Sequence, residues 1–158
     1  MKEQTCCITG HRVIPGEDYL EVMRKFSKAV GIVCRKGVDT FCVGGALGFD
    51  TATAMFLLFS RLFVPKLKII SVLPCKTQTK GWREHDIRIY NFIKEQSDEV
   101  IYVSEEYTRG CMFKRNRAMV DMSQYCIAYL NKDSGGTAYT VKYAKQKGLE
   151  VININDIE

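Results

Sequence analysis

The sequence predicts an α/β protein with a single Rossmann-like, doubly wound and mainly parallel sheet that carries helices on both faces. Short apolar runs alternate with longer segments of helical period, so that strand and helix follow each other along the whole chain. Parallel strands need long crossover connections, and helices between successive strands supply them. The 158 residues, 46% of them hydrophobic, are also enough to build one packed core.

The first half of the chain predicts three strands and two helices. Thr5 to Thr9 is a short apolar run that ends at Gly10. Large apolar side chains recur every three or four residues within 18–36, which is the period of a helix, and Gly37 is placed to end it. The pattern continues with a strand over 40–43, a helix over about 49–63 and a strand over 68–73.

The second half begins with a polar loop, 75–83, that contains the only tryptophan. A helix over 84–96 follows, with its apolar side chains on one side. The remaining predicted elements are a strand over 99–103, a short helix over 114–123, a strand over 125–130, a helix over 136–147 and a strand over 150–154.

Charge and cysteine content narrow the class of protein. The formal net charge of +5 fits both a solubilising surface and an anionic partner. Seven cysteines include no C-x-x-C pair, so we expect no metal site and no redox pair. They lie mostly in apolar runs, which indicates buried free thiols and a cytoplasmic protein. The longest apolar stretch, 52–64, is too short for a bilayer, so we expect no membrane partner.

Three loops with glycines follow predicted strands, at the carboxyl edge where open parallel sheets bind ligands. They contain Gly10-His11-Arg12, Gly44 to Asp50, and Gly135-Gly136-Thr137. Glycine lets the backbone approach an oxyanion closely, and the helix that follows offers free N–H groups. An ordinary tight turn explains any one loop, but the three together favour a ligand site. The second loop reads G-G-x-x-G, so neither a dinucleotide fingerprint nor a Walker A loop is present, and we expect no cofactor.

A basic segment, Lys114 to Arg117, falls at the predicted start of a helix. Cations there oppose the helix dipole, so a phosphate or an acidic neighbour is expected to accompany them. A solvated basic face is the alternative. Trp82, with Tyr107 and Phe113, is a candidate for stacking on a base, although such aromatic residues more often pack a loop onto the domain. The two histidines, His11 and His85, have no Ser or Cys at a spacing that suggests a catalytic triad.

These motifs carry a resemblance that covers nearly the whole chain, in order. The matching residues are Thr9 to Arg12, Gly44 to Asp50, Pro74 with Gln78 and Trp82, Tyr107, Arg115 to Asp121, and Gly135 to Thr137 with Tyr143 and Ala144. They resemble the YpsA-like family of bacterial proteins, within the SLOG superfamily of Rossmann-like nucleotide-binding domains. The resemblance implies one such domain over 1–158 and the binding of a nucleotide or nucleotide-derived ligand, often proposed as sensing.

Two related families suggest alternatives. The DNA-processing protein A family binds single-stranded DNA and has a similar Arg-Asn-Arg segment. The lysine decarboxylase-like phosphoribohydrolases cleave nucleoside monophosphates, and Arg115 corresponds to their catalytic arginine. Their catalytic glutamate falls at Thr140, which cannot ionise near neutral pH and therefore argues against this activity.

We therefore expect a phosphorylated nucleotide-type small molecule to bind at the carboxyl edge, with the chain acting as a sensor or regulatory module. The alternatives are a nucleotide N-glycosidic hydrolase that uses Asp50, Asp121 or Glu84 as its acid, and a single-stranded DNA-binding protein. A second copy of the chain is a further candidate partner, and no catalytic residue is assigned. The expected ligand-binding residues are Gly10, His11, Arg12, Gly44, Gly45, Gly48, Asp50, Trp82, Arg115, Asn116, Arg117, Gly135, Gly136 and Thr137.

Overall fold

A computed structural model describes residues 1–158 and contains one sheet of six parallel strands with five α-helices. The strands are β1 Thr5–Gly10, β2 Thr40–Val43, β3 Lys68–Leu73, β4 Glu99–Tyr102, β5 Tyr125–Tyr129 and β6 Glu150–Asn153. The helices are α1 Tyr19–Arg35, α2 Phe49–Ser60, α3 Glu84–Gln96, α4 Cys111–Asp121 and α5 Gly136–Gln146. The predicted Rossmann-like α/β fold is confirmed, and the sheet is parallel throughout.

The strand order, β4-β3-β2-β1-β5-β6, fixes where a ligand site can form. The chain winds outward from β1 to β4 and then crosses back to place β5 on the other side of β1. Because the direction of winding reverses there, the connections after β1 and β5 leave the sheet toward opposite faces and open a crevice between them. Gly10 pairs with Tyr129 at the carboxyl end of these two strands, so the crevice begins at those residues.

The two faces of the sheet hold separate apolar clusters. Alternate residues of β1 point to opposite faces, so Cys6 and Ile8 join the larger cluster and Cys7 joins the smaller one. The larger cluster packs beneath α1, α2 and α3, and the smaller one beneath α4 and α5. All seven cysteines are free, as predicted, and all are buried except Cys34, which is half-buried.

Two helix boundaries differ from the prediction by three residues. The structure starts α4 at Cys111, three residues before the expected start, because Gly110 adopts a positive φ of 83° and turns the chain directly into the helix. The basic segment therefore lies within α4 rather than at its first position. The end of α2 falls at Ser60, since Pro65 disfavours helical backbone at the residue before it and the chain unwinds ahead of it.

Candidate functional site

The three predicted loops lie at the carboxyl edge of the sheet, after β1, β2 and β5. The first two are packed against each other. The Phe49 N–H donates to the His11 carbonyl at 3.1 Å, and the Phe49 ring lies against Gly10. A Cβ atom at Gly48 would collide with the Arg12 backbone, and Gly48 also has a positive φ of 82°. Gly10 and Gly48 therefore allow the first and second loops to pack closely against each other. The sequence predicts instead that glycines in these loops allow the backbone to approach a phosphate.

Arg115 is buried beneath the second loop, and its side chain is only 4% exposed. Its Nη1 donates to the Gly44 carbonyl, and its Nε donates to Asn116 Oδ1 at 2.7 Å. A Cβ atom at Gly44 would lie 2.7 Å from Arg115 Nη1 and 3.0 Å from Asp50 Oδ2. Glycine at this position therefore lets a guanidinium and a carboxylate converge on the loop from α4 and α2.

Asp50 is the acidic partner in this buried arrangement. Its Oδ2 accepts the Ala46 N–H at 3.2 Å. Burial raises the pKa of Asp50 to about 6, and the Arg115 guanidinium, the Ala46 N–H and Arg12 each offset part of that rise. Burial also lowers the pKa of Arg115, against the opposing effect of Asp50. Desolvation thus acts on both groups, and each favours the charged form of the other.

His11 joins the first loop to the third across the crevice. Its Nε2 accepts the Asn131 N–H at 2.8 Å, which requires a neutral imidazole. Burial lowers the pKa of His11, and the charge of Lys132 lowers it further. The bond therefore holds the loop after β5 in place under neutral conditions.

The third loop is open. A Cβ atom at Gly135 or Gly136 would meet no other atom within 4 Å. The α5 helix that begins there has no side-chain cap and no acidic residue in its first turn. Thr137 is buried, and the Thr140 hydroxyl donates to the Gly136 carbonyl at 2.8 Å. The N-terminus of α5 is therefore left to solvent or to an anion.

Gln78 belongs to the resemblance, but the sequence alone does not mark it as a ligand-binding residue. It lies in the loop after β3 and is 8% exposed. Its Oε1 is the single buried side-chain nitrogen or oxygen atom without a hydrogen-bond partner. This atom lies 3.2 Å from the position that a Cβ of Gly45 would take. A polar residue in a loop at the carboxyl edge was the available signal, but its burial was not visible in the sequence.

Other predicted residues lie apart from this group. Trp82 packs edge-on against Tyr90, with ring centroids 5.5 Å apart. Arg117 donates to Tyr139 Oη at 2.8 Å, between α4 and α5 rather than beneath the second loop. Two of the carboxylates weighed as acids have no recorded contact with Arg115. Asp121 ends α4 and accepts the Tyr143 hydroxyl at 2.8 Å, and Glu84 is exposed at the start of α3.

No group of three or more His, Cys, Asp or Glu side chains is arranged to hold a metal ion. None of the helices combines the length and the apolar character that crossing a bilayer requires.

Comparison with known sequences identifies a matching family model and similar proteins from Bacillus species. The family model described as the YspA SLOG family (YpsA) matches residues 17–157. The SPbeta prophage-derived protein YoqJ of Bacillus subtilis (strain 168) is 28% identical over 127 residues, which cover 73% of this chain and 74% of YoqJ. A UPF0398 protein of Bacillus anthracis (strain A0248) is 29% identical over 115 residues, which cover 71% of this chain and 62% of that protein.

Solved structures share the fold at lower sequence identity. DNA processing protein A (DprA) from Streptococcus pneumoniae superposes with a TM-score of 0.67 at 19% identity, covering 93% of this chain and 48% of that one. DNA processing protein A from Helicobacter pylori, described for its single-stranded DNA binding mode, gives 0.65 at 16% identity, covering 95% and 64%. The present chain thus spans about half to two thirds of these larger proteins.

Proposed function

Because the chain belongs to the YspA SLOG family, we propose that it binds a nucleotide or nucleotide-derived phosphorylated ligand and acts as a sensor or regulatory module. One observation carries the proposal: the uncapped N-terminus of α5 follows β5 at the crevice between β1 and β5, and exposed Arg12 lies in the loop after β1, at the same edge of the sheet. Open parallel sheets bind ligands at such a reversal, and helix N-termini bind phosphate.

The phosphate lies at Gly135, Gly136 and Thr137, where backbone N–H groups are free of side-chain caps. Arg12 supplies the charge, since it takes part in none of the five ion pairs of the structure. The remainder of the ligand extends over the second loop toward Gln78, whose amide Nε2 can donate to a base edge. Arg115 and Asp50 hold the floor of the site beneath Gly44.

The chemistry of Thr140 and the burial of Asp50 favour binding of the ligand without hydrolysis. Thr140 occupies the place of the acid in the hydrolytic relatives, and its hydroxyl is committed to the Gly136 carbonyl. Asp50 has a raised pKa of about 6, as a general acid would, but it is buried under the loop backbone. A general acid must come within hydrogen-bond reach of its substrate, and Asp50 lacks that access.

Single-stranded DNA binding is the second candidate function. It is favoured by the fold shared with DNA processing protein A, one example of which is described by its single-stranded DNA binding mode. An exposed cation and an open helix N-terminus at the same edge of the sheet also suit a phosphodiester. A strand would contact several phosphates, so its affinity would fall steeply with salt, whereas a mononucleotide would show a shallow dependence.

The test is isothermal titration of the full chain with a panel of nucleoside mono- and diphosphates and a 12-nucleotide single strand, at two salt concentrations. Arg12→Ala should weaken mononucleotide binding at least tenfold, because a charge-assisted bond contributes about 1.5–3 kcal/mol. Arg35→Ala is the matched control, since it removes the same charge from an exposed site at the end of α1, on the opposite edge of the sheet.

The possible results separate the candidates. Mononucleotide binding that falls in Arg12→Ala and stays within twofold in Arg35→Ala supports the proposed sensor. Release of free base during incubation, measured by chromatography, would instead establish hydrolysis. Tight binding of the single strand alone, with a steep salt dependence, would establish the second candidate. Equal losses in both variants would show that the crevice is not the site.

A further inference from the structure

A separate groove of about 560 Å³ opens between α4, α5 and the loop after β4. Its volume lies within the range of about 300–1,000 Å³ that is typical of small-molecule sites. The proposed crevice contributes none of its lining. The residues around it are Ser104, Thr108, Arg109, Gly110, Cys111, Phe113, Lys114, Arg117 and Tyr139.

The groove is cationic without any acidic lining residue. Arg109, Lys114 and Arg117 all line it, and none of the three takes part in an ion pair. The N-terminus of α4 opens into the same space at Gly110 and Cys111, with no side-chain cap and no acidic residue in its first turn. Three unpaired cations in one concave surface raise the local concentration of anions.

One wall of the groove is aromatic. The rings of Phe113 and Tyr139 meet edge to face, with centroids 4.7 Å apart. Both side chains remain accessible, at 43% and 36% exposure. Arg117 donates to Tyr139 Oη at 2.8 Å, which fixes this tyrosine from α4. A flat aromatic group can therefore pack on a positioned surface while its anionic part reaches the cations.

Acidic side chains limit the length of the basic surface. Glu105 and Glu106 lie between the lining residues Ser104 and Thr108, and Glu105 forms an ion pair with Lys76. Asp121 lies one turn beyond Arg117 on α4 and holds Tyr143 at the other end. An extended polyanion that continued along the seam between α4 and α5 would meet carboxylates, so the groove favours a compact ligand.

We propose that the groove is a second binding site, separate from the crevice, and that its ligand is a nucleoside polyphosphate. The base packs on Phe113 and Tyr139, and the phosphates lie among Arg109, Lys114, Arg117 and the N-terminus of α4. The Gly44 floor of the crevice and the groove lie on different sides of α4, because Arg115 is buried against Gly44 whereas Lys114 and Arg117 face the groove. This site does not depend on the proposed ligand of the crevice.

The experiment titrates the full chain with ATP in metal-free buffer, and in parallel with inorganic triphosphate and a 12-nucleotide single strand. The double variant Lys114→Ala with Arg117→Ala should lose at least tenfold in ATP affinity. Arg35→Ala with Lys66→Ala is the matched control, since it removes one arginine and one lysine that are exposed and form no ion pair, and it should change ATP affinity less than twofold. Circular dichroism checks that each variant folds.

Two further variants identify the parts of the site. Phe113→Ala should weaken ATP at least fivefold and triphosphate less than twofold, because only ATP carries a base. Arg12→Ala should leave ATP binding at the groove within twofold, which separates this proposal from that of the crevice. Four results would each overturn the proposal: no ATP binding at 1 mM, no loss in the double variant, equal affinities for ATP and triphosphate, or a single strand that binds more tightly than ATP and depends on the same residues.

Discussion

The loop after β2 and the loop after β5 both carry paired glycines ahead of a helix, but the structure uses them differently. In the loop after β2, the space above the glycines is filled by protein, with Arg115 and Asp50 at Gly44 and the Arg12 backbone at Gly48. In the loop after β5, a side chain at Gly135 or Gly136 would meet nothing within 4 Å. The same residue pattern therefore serves packing in one loop and leaves room for a ligand in the other.

The largest expected effect is a difference in stability between two glycine-to-alanine variants, one in each loop. Gly48→Ala imposes a strained positive φ, at about 1–3 kcal/mol, and a collision with main-chain atoms that adds about 1–3 kcal/mol. Gly136→Ala should change the free energy of unfolding by only about 0.5 kcal/mol but reduce nucleotide affinity. Urea denaturation and titration calorimetry measure the two effects. Similar stability losses in the two variants would remove the contrast between the loops.

Arg115→Ala should lower the free energy of unfolding nearly as much as Gly48→Ala. From the sequence we had placed this arginine at a helix start, where its loss would relieve the helix dipole. That premise is wrong, since α4 begins at Cys111 and Arg115 is buried against Gly44 and near Asp50. We expect a loss of about 3 kcal/mol, because the Gly44 carbonyl loses a charge-assisted donor and Asp50 loses the cation that offsets its burial. Proton uptake by Asp50 limits this loss.

The proton uptake by Asp50 gives this prediction a second measurement. Without the Arg115 guanidinium, the pKa of Asp50 should rise above its value of about 6. A carboxyl whose pKa is raised on folding lowers stability as pH increases from its unfolded value to its folded value. The stability of Arg115→Ala should therefore keep falling above pH 6, where the parent has levelled off. Parallel pH profiles for the two proteins would contradict the buried arrangement.

A substitution of Gln78 tests whether the loop after β3 contributes to ligand binding. Its expected effect on stability is smaller than that of Arg115→Ala. Gln78→Leu removes the orphaned Oε1, so the free energy of unfolding should rise by about 1 kcal/mol in the absence of ligand. Nucleotide affinity should fall at the same time, because the ligand loses its amide partner. Gln96→Leu, at an exposed position, is the control. Opposite signs in stability and affinity indicate a ligand contact, and unchanged affinity would leave Gln78 outside the site.

The smallest effect is expected from His11. Its pKa is lowered in the folded protein, so the stability it contributes is present above the unfolded value near 6.5 and is lost as pH falls through the folded pKa. Protonation of Nε2 breaks the bond from Asn131 and loosens the loop after β5. We expect a loss under about 1 kcal/mol, because the ring is partly solvated. The His11→Phe variant should lack this acid-dependent step, and a step of the same size in that variant would assign it elsewhere.

The sequence predicted the fold well because its signals are local. The bounds of β2, β3 and α3 match the structure, since period and flanking breakers determined them. The start of α4 was missed because the backbone angle of Gly110 is not encoded in the periodicity. The bond from Arg115 to Gly44 joins residues 71 positions apart, and the burial of Gln78 depends on loop packing. Contacts of that kind follow only from the assembled sheet edge.

The most direct test of the central claim is to follow the backbone amide resonances of isotope-labelled protein during titration with a nucleoside monophosphate. The account predicts saturable shifts at Gly135, Gly136 and Thr137, with smaller shifts near Arg12 and Gln78. The amides of Phe113 and Lys114 in the groove should shift little with this ligand. Saturable shifts that spare the loop after β5, or that appear only along α4, would contradict a phosphate site at the N-terminus of α5.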